Sequence, residues 1–94
     1  MWLYDSTSNL WTEIYPNTKP SARSGHKMVY DPINQKTLLY GGWGDELGLM
    51  DDTWIYDSQT NQWTEVFPVD NPSTRQSFSI YYDFDAQRVI LFGG

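Results

Sequence analysis

Apolar and polar residues alternate along this chain in short runs, and nowhere recur at the three- and four-residue spacing of an amphipathic helix. The runs are WLYD (2–5), LWTEIY (10–15), GHKMVYD (25–31), TLLYGG (37–42), TWIYD (53–57), QWTEVF (62–67), SFSIYYD (77–83) and VILFGG (89–94). Each is short, rich in aromatic and β-branched residues, and bounded by Asp, Asn, Ser, Gly or Pro, so each predicts a strand. Asp5-Ser-x-x-Asn9 and Asp57-Ser-x-x-Asn61 predict tight polar turns, as do DPINQK (31–36) and DFDAQR (83–88). Prolines bracket 16–20 and 68–72. Proline lacks the N–H that a ladder needs, so these two stretches predict connections rather than strand interiors.

The pattern occurs twice. Shifting the sequence by 52 residues aligns 1–42 with 53–94 without a gap, and 18 of the 42 positions are identical. Trp2 meets Trp54, Tyr4 meets Tyr56, Trp11 meets Trp63 and Arg23 meets Arg75. The glycine pair Gly41-Gly42 meets Gly93-Gly94. A ten-residue insert at 43–52 separates the two copies.

Strand composition indicates how the copies stack. TLLY and VILF carry no charge on either face, so both faces need cover, whereas the WTE strands suit a water-facing edge. Four-stranded sheets stacked face to face, with covered middle strands and a polar outermost one, are blades of a β-propeller.

The order Arg23-Ser24-Gly25-His26, apolar strand, LLYGG, acidic loop, DDTWIYD, Asn61 and Trp63 resembles the kelch repeat, and the 52-residue period agrees with the roughly 50 residues of that repeat. The resemblance covers essentially the whole chain and implies an all-β fold of antiparallel four-stranded blades. It departs from the pattern where Ser77-Phe78 replaces Gly25-His26. In kelch blades strands a to d run outward from the central channel. GHKMVYD then corresponds to strand a, TLLYGG to b, TWIYD to c and QWTEVF to d. The organisation this implies is strands c and d of a shared blade (1–20), a complete blade (21–67), and strands a and b of a shared blade (68–94). Trp2, Tyr4, Trp11, Trp54, Tyr56 and Trp63 are expected as packing anchors. Arg23 and Arg75 are expected to brace neighbouring blades.

A propeller has roughly four to eight blades, so two repeats do not close a ring. The half-blades leave unpaired strand edges, which invite association. Strands a and b of one copy can pair with c and d of the next, a heterologous contact that closes into a ring. Kelch rings resemble those of roughly five to seven blades, and six divides among two-blade chains, so a homotrimer is expected. The same pattern suits a piece excised from a longer propeller, or an engineered two-blade unit.

Composition narrows the function. Twelve acidic residues against six basic ones give a net charge of −6, which disfavours nucleic acid or an anionic membrane as partner. Without cysteine there is no disulfide, thiolate nucleophile or thiolate metal site. The first residues lack the basic and apolar segments of a secretory leader, so a soluble chain is expected, cytoplasmic if made as it stands. The resemblance extends to the propeller domain of galactose oxidase, but no residue here matches its copper ligands, so no cofactor and no enzymatic activity are carried over. His26, the single histidine, reads as structural.

Asp45, Glu46 and Asp51 in the insert are weak candidates for a cation site, because clustered oxygens in a glycine-containing loop suit Ca²⁺. A solvated acidic loop is the plainer reading, and the resemblance to kelch repeats implies a structural place for Asp52 ahead of strand c. Trp43, Leu47, Leu49 and Met50 have no counterpart in the other copy and are candidate contacts for a protein or a carbohydrate. The expected function is thus a non-enzymatic, self-assembling kelch scaffold whose loops contact protein or glycan. The alternative is a lectin-like, cation-binding or enzymatic site at the 43–52 loops.

Overall fold

The computed structural model describes residues 1–94, all of them in strands, turns and connecting loops without a helix. Ten antiparallel strands occur in the order β1 (Trp2–Asp5), β2 (Leu10–Glu13), β3 (Lys27–Asp31), β4 (Lys36–Tyr40), β5 (Trp43–Gly44), β6 (Gly48–Leu49), β7 (Thr53–Asp57), β8 (Gln62–Val66), β9 (Phe78–Asp83) and β10 (Arg88–Gly93). The all-β class and the separate antiparallel sheets agree with kelch-type blades.

The central sheet has the order β3-β4-β7-β8. Its covered middle strands are TLLY and TWIYD, as their uncharged faces require. β1 pairs only with β2 and β9 only with β10, so each flanking hairpin has half as many strands as the central sheet. The insert contains the small hairpin β5–β6, in which Trp43 pairs with Leu49 and Gly44 with Gly48. Periodicity alone leaves this element unread, because two-residue strands are too short to show a period.

The turns follow from aspartate chemistry. Asp5, Asp31, Asp57 and Asp83 each end a strand, and each accepts backbone N–H groups from the following residues, as Asp31 Oδ1 does from Ile33 (3.0 Å) and Asn34 (3.3 Å). Four residues beyond each aspartate, the chain enters the left-handed region at Asn9, Gln35, Asn61 and Gln87, with φ between 55° and 57°. Asparagine tolerates that conformation, which explains its recurrence in the β1–β2 and β7–β8 turns.

The double glycine ends β4 where backbones crowd together. Gly42 has φ +104°, and a Cβ there would lie 2.8 Å from the Ser24 carbonyl and 3.0 Å from the His26 nitrogen. Its N–H donates to the Arg75 carbonyl at 3.1 Å, which ties the complete blade to the segment leading into β9. Ser77 keeps a positive φ of 57° where Gly25 has 68°, so the replacement preserves the backbone path. Phe78, standing in place of His26, is buried edge-on against Tyr40 with ring centroids 5.9 Å apart. The small core therefore lies between β4, β7 and this second hairpin, at Leu39, Tyr40, Met50, Trp54, Tyr56 and Phe78.

Candidate interaction surface

Two places stand out chemically: the 43–52 loop, and the open edges of the flanking hairpins. The loop is held at its base by Arg23. The Arg23 guanidinium donates to the carbonyl of Ser21 (3.1 Å), the carbonyl of Gly41 (3.1 Å), and both Asp52 carboxylate oxygens (2.5 and 2.8 Å). The Trp54 indole N–H donates to the same carboxylate at 2.8 Å. Burial pushes the Asp52 carboxyl up. The Arg23 hydrogen bonds, the Trp54 indole and the Arg23 charge outweigh that push and hold it below its ordinary value of 3.8. Asp52 thus ties the end of the loop to Arg23, in the segment ahead of β3, and to the Trp54 indole of β7.

Beyond this tie the loop projects outward. Asp45, Glu46 and Asp51 are exposed, and no group of three or more His, Cys, Asp or Glu side chains comes together in a metal-binding arrangement. Trp43, Leu47 and Leu49 are exposed. Met50 turns inward instead, where its sulfur accepts from the Ser21 hydroxyl and its methyl group lies over Gly44. The loop therefore presents three apolar side chains beside three unpaired acids. His26 is half-buried, with Nδ1 buried and without a hydrogen-bond partner.

The flanking hairpins repeat the local chemistry of the complete blade without its cover. Tyr56 stacks on Trp63 with centroids 5.0 Å apart, and Tyr4 on Trp11 with centroids 5.1 Å apart. Both tyrosine hydroxyls donate to the asparagine of their own turn, Asn61 and Asn9. Yet Trp54 is 7% exposed and its counterpart Trp2 57%, while Tyr40 is 3% exposed and its counterpart Phe92 81%. Trp11 is exposed and Trp63 half-buried. Gly41 and Gly42 are buried, whereas Gly93 and Gly94 are open to solvent. Arg75 repeats the Arg23 contacts to a serine and to the strand-end glycine, donating to the Ser73 carbonyl (3.0 Å) and the Gly93 carbonyl (2.9 Å).

An all-β chain whose one complete sheet runs a-b-c-d, with a double glycine after b and an Asp-x-Trp-x-Tyr strand c, is a kelch-repeat protein. The Kelch motif family matches residues 22–66, the span of the four-stranded blade. Among curated proteins the chain is similar to Mei4-dependent protein 6 of Schizosaccharomyces pombe, with 36% identity over 73 residues, 78% of this chain and 10% of that protein. It is also similar to Tip elongation aberrant protein 3 of the same yeast, with 33% identity over 64 residues, 67% of this chain and 5% of that protein. An F-box/kelch-repeat protein of Arabidopsis thaliana is 33% identical over 66 residues, 67% of this chain and 14% of that protein. The chain thus spans a small fraction of the length of each of these relatives.

The Arg23–Asp52–Trp54 tie was only half legible from sequence. Both arginines recur, and that recurrence predicts a brace between neighbouring blades. Arg23 instead closes a loop within its own blade, and it is the Arg75 backbone that receives the inter-blade hydrogen bond. The spacing from Arg23 to Asp52 carries no local signal, because the two meet only once β4 and β7 are paired.

Proposed function

We propose that this chain is a non-enzymatic, blade-forming kelch scaffold that works by protein contact, and that its two half-blades are completed by strand addition. The exposure contrast between Trp2 and Trp54, and between Phe92 and Tyr40, carries the reading. Equivalent positions of the repeat are covered in the four-stranded sheet and bare in the two-stranded hairpins. Burying such aromatics stabilises by about 1.5–3 kcal/mol each, so the open hairpins gain substantially from a partner.

In the first form of this proposal the partner is a second copy of the chain. β4 pairs with β7 in the register Lys36↔Asp57 through Tyr40↔Thr53. Shifted by one repeat, the same register sets Arg88 opposite Asp5, Leu91 opposite Trp2 and Phe92 opposite Met1 of the next copy. Three copies make six blades of about 33 kDa in total, three times the 11.0 kDa chain. A second form, completion by further kelch repeats of the same polypeptide, is favoured by the much greater length of the relatives. The exposed Trp43, Leu47 and Leu49, beside Asp45, Glu46 and Asp51, are the proposed loop contacts for a protein or glycan.

Native mass spectrometry and light scattering at tens of micromolar protein test the first form. A monodisperse 33 kDa species is expected for the trimer, and an 11 kDa species at all concentrations overturns self-completion.

A further inference from the structure

We infer that the cleft between the 15–18 connection and the start of β8 is a binding site for a neutral saccharide. The site goes beyond the scaffold reading and rests neither on strand addition nor on the 43–52 loop.

The cleft has a volume of about 430 Å³. It opens between residues 15–18, which follow β2, and residues 60–63, which close the β7–β8 turn and begin β8. That volume falls within the roughly 300–1,000 Å³ of small-molecule sites. None of its eight lining residues is charged. Trp63 and Tyr15 form the aromatic part of the wall. Tyr56 packs on the Trp63 ring with centroids 5.0 Å apart and holds it in place. The Tyr15 hydroxyl donates to Glu13 at 2.8 Å, which orients that ring and leaves the oxygen's lone pairs available. Asn61 is fixed as well. Its φ is 56°, and its Oδ1 accepts from the Tyr56 hydroxyl at 2.7 Å, so its Nδ2 group is left as an oriented donor. Asn17, Thr18, Thr60 and Gln62 are exposed and bring further donors and acceptors to the same cleft.

Blade packing does not demand this set of side chains. One repeat away, Val69 and Asp70 stand at the places of Asn17 and Thr18, Phe67 at that of Tyr15, and Leu10 at that of Gln62. Chemistry then narrows the occupant. A charged ligand finds no counter-charge among the lining residues, and a chain of net charge −6 repels an anion. An apolar ligand covers the amides and hydroxyls without replacing their hydrogen bonds to water. A pyranose suits both parts of the wall, since its C–H face packs on an aromatic ring while its hydroxyls donate and accept at the edge.

The test is amide-resolved NMR of the full chain, titrated with glucose, galactose and mannose, each as the free hexose and as its methyl glycoside. Glycerol and glucuronate are the controls. At least one hexose is expected to produce saturable shifts at the Asn61 and Gln62 side-chain amides and the Trp63 indole, with at least fivefold tighter binding than glucuronate. Binding of the methyl glycoside assigns the end of a glycan, and binding of the free hexose alone assigns a free sugar. The double change Asn17→Ala and Gln62→Ala, at two exposed positions, is expected to weaken binding at least fivefold while the rest of the spectrum stays in place. The site is overturned by an absence of saturable shifts up to tens of millimolar sugar, by an equal response to glycerol or glucuronate, or by unchanged affinity in the double variant.

Discussion

Arg23 and Asp52, far apart in sequence, meet in a two-pronged ion pair with N···O distances of 2.5 and 2.8 Å, and the arginine side chain is only 3% exposed. A guanidinium so enclosed depends on its carboxylate, because an unpaired buried charge is costly. Asp52→Asn keeps the shape and one acceptor but removes the charge. A loss of about 2 kcal/mol is expected, within the range for charge-assisted hydrogen bonds, read as a lower urea midpoint with unchanged slope.

The same pair predicts a pH effect. Asp52 is depressed below its ordinary value of 3.8 in the folded chain. Its contribution is therefore fully present above that ordinary value and is lost as pH falls through the folded value. Stability of the wild type is expected to drop more steeply with acid below about pH 4 than that of Asp52→Asn. Parallel curves in urea titrations from pH 6 to 2.5 contradict this assignment.

Two glycines separate backbone conformation from crowding. Gly42→Ala forces a Cβ to 2.8 Å from the Ser24 carbonyl at φ +104°, whereas a Cβ at Gly48 meets nothing within 4 Å at φ +71°. Gly48→Ala is expected to cost about 1 kcal/mol, the penalty of a left-handed alanine. Gly42→Ala is expected to cost about 3 kcal/mol or more, since backbone must also move. Thermal or urea unfolding of the two variants side by side checks the difference.

The repeated tryptophans give an internal comparison. Trp63 is half-buried against Tyr56, while Trp11 stacks on Tyr4 on an exposed hairpin. Trp63→Ala is expected to cost about 2 kcal/mol and Trp11→Ala less than about 1 kcal/mol in the monomeric chain. If half-blades are completed by partner strands, the Trp11→Ala cost rises with protein concentration, because the partner covers its surface.

Much of the architecture was legible because its causes are local. Asp-initiated turns, strand-length apolar runs and glycine pairs act within a few residues, and their repetition at a 52-residue offset marks the unit, while the a-b-c-d order is what the resemblance to kelch repeats implies, and the sheet order β3-β4-β7-β8 agrees with it. The β5–β6 hairpin carries no such signal, since its two-residue strands are too short for a period to register. From sequence Met50 reads as a contact candidate beside Trp43, Leu47 and Leu49, yet the fold turns it over Gly44, a contact that spacing cannot reveal.

The sequence by itself determined the strands, their turns, the repeat, and the fact that each copy needs cover on both faces of its middle strand. Only the tertiary structure decided which of two equivalent residues is covered. Trp2 and Trp54 hold equivalent positions in the repeat, and so do Arg23 and Arg75, but one of each pair sits in a finished sheet and the other at an open edge. Burial and ion pairing depend on what lies across the ladder, and that is a property of the assembled blade rather than of any residue's neighbours in the chain.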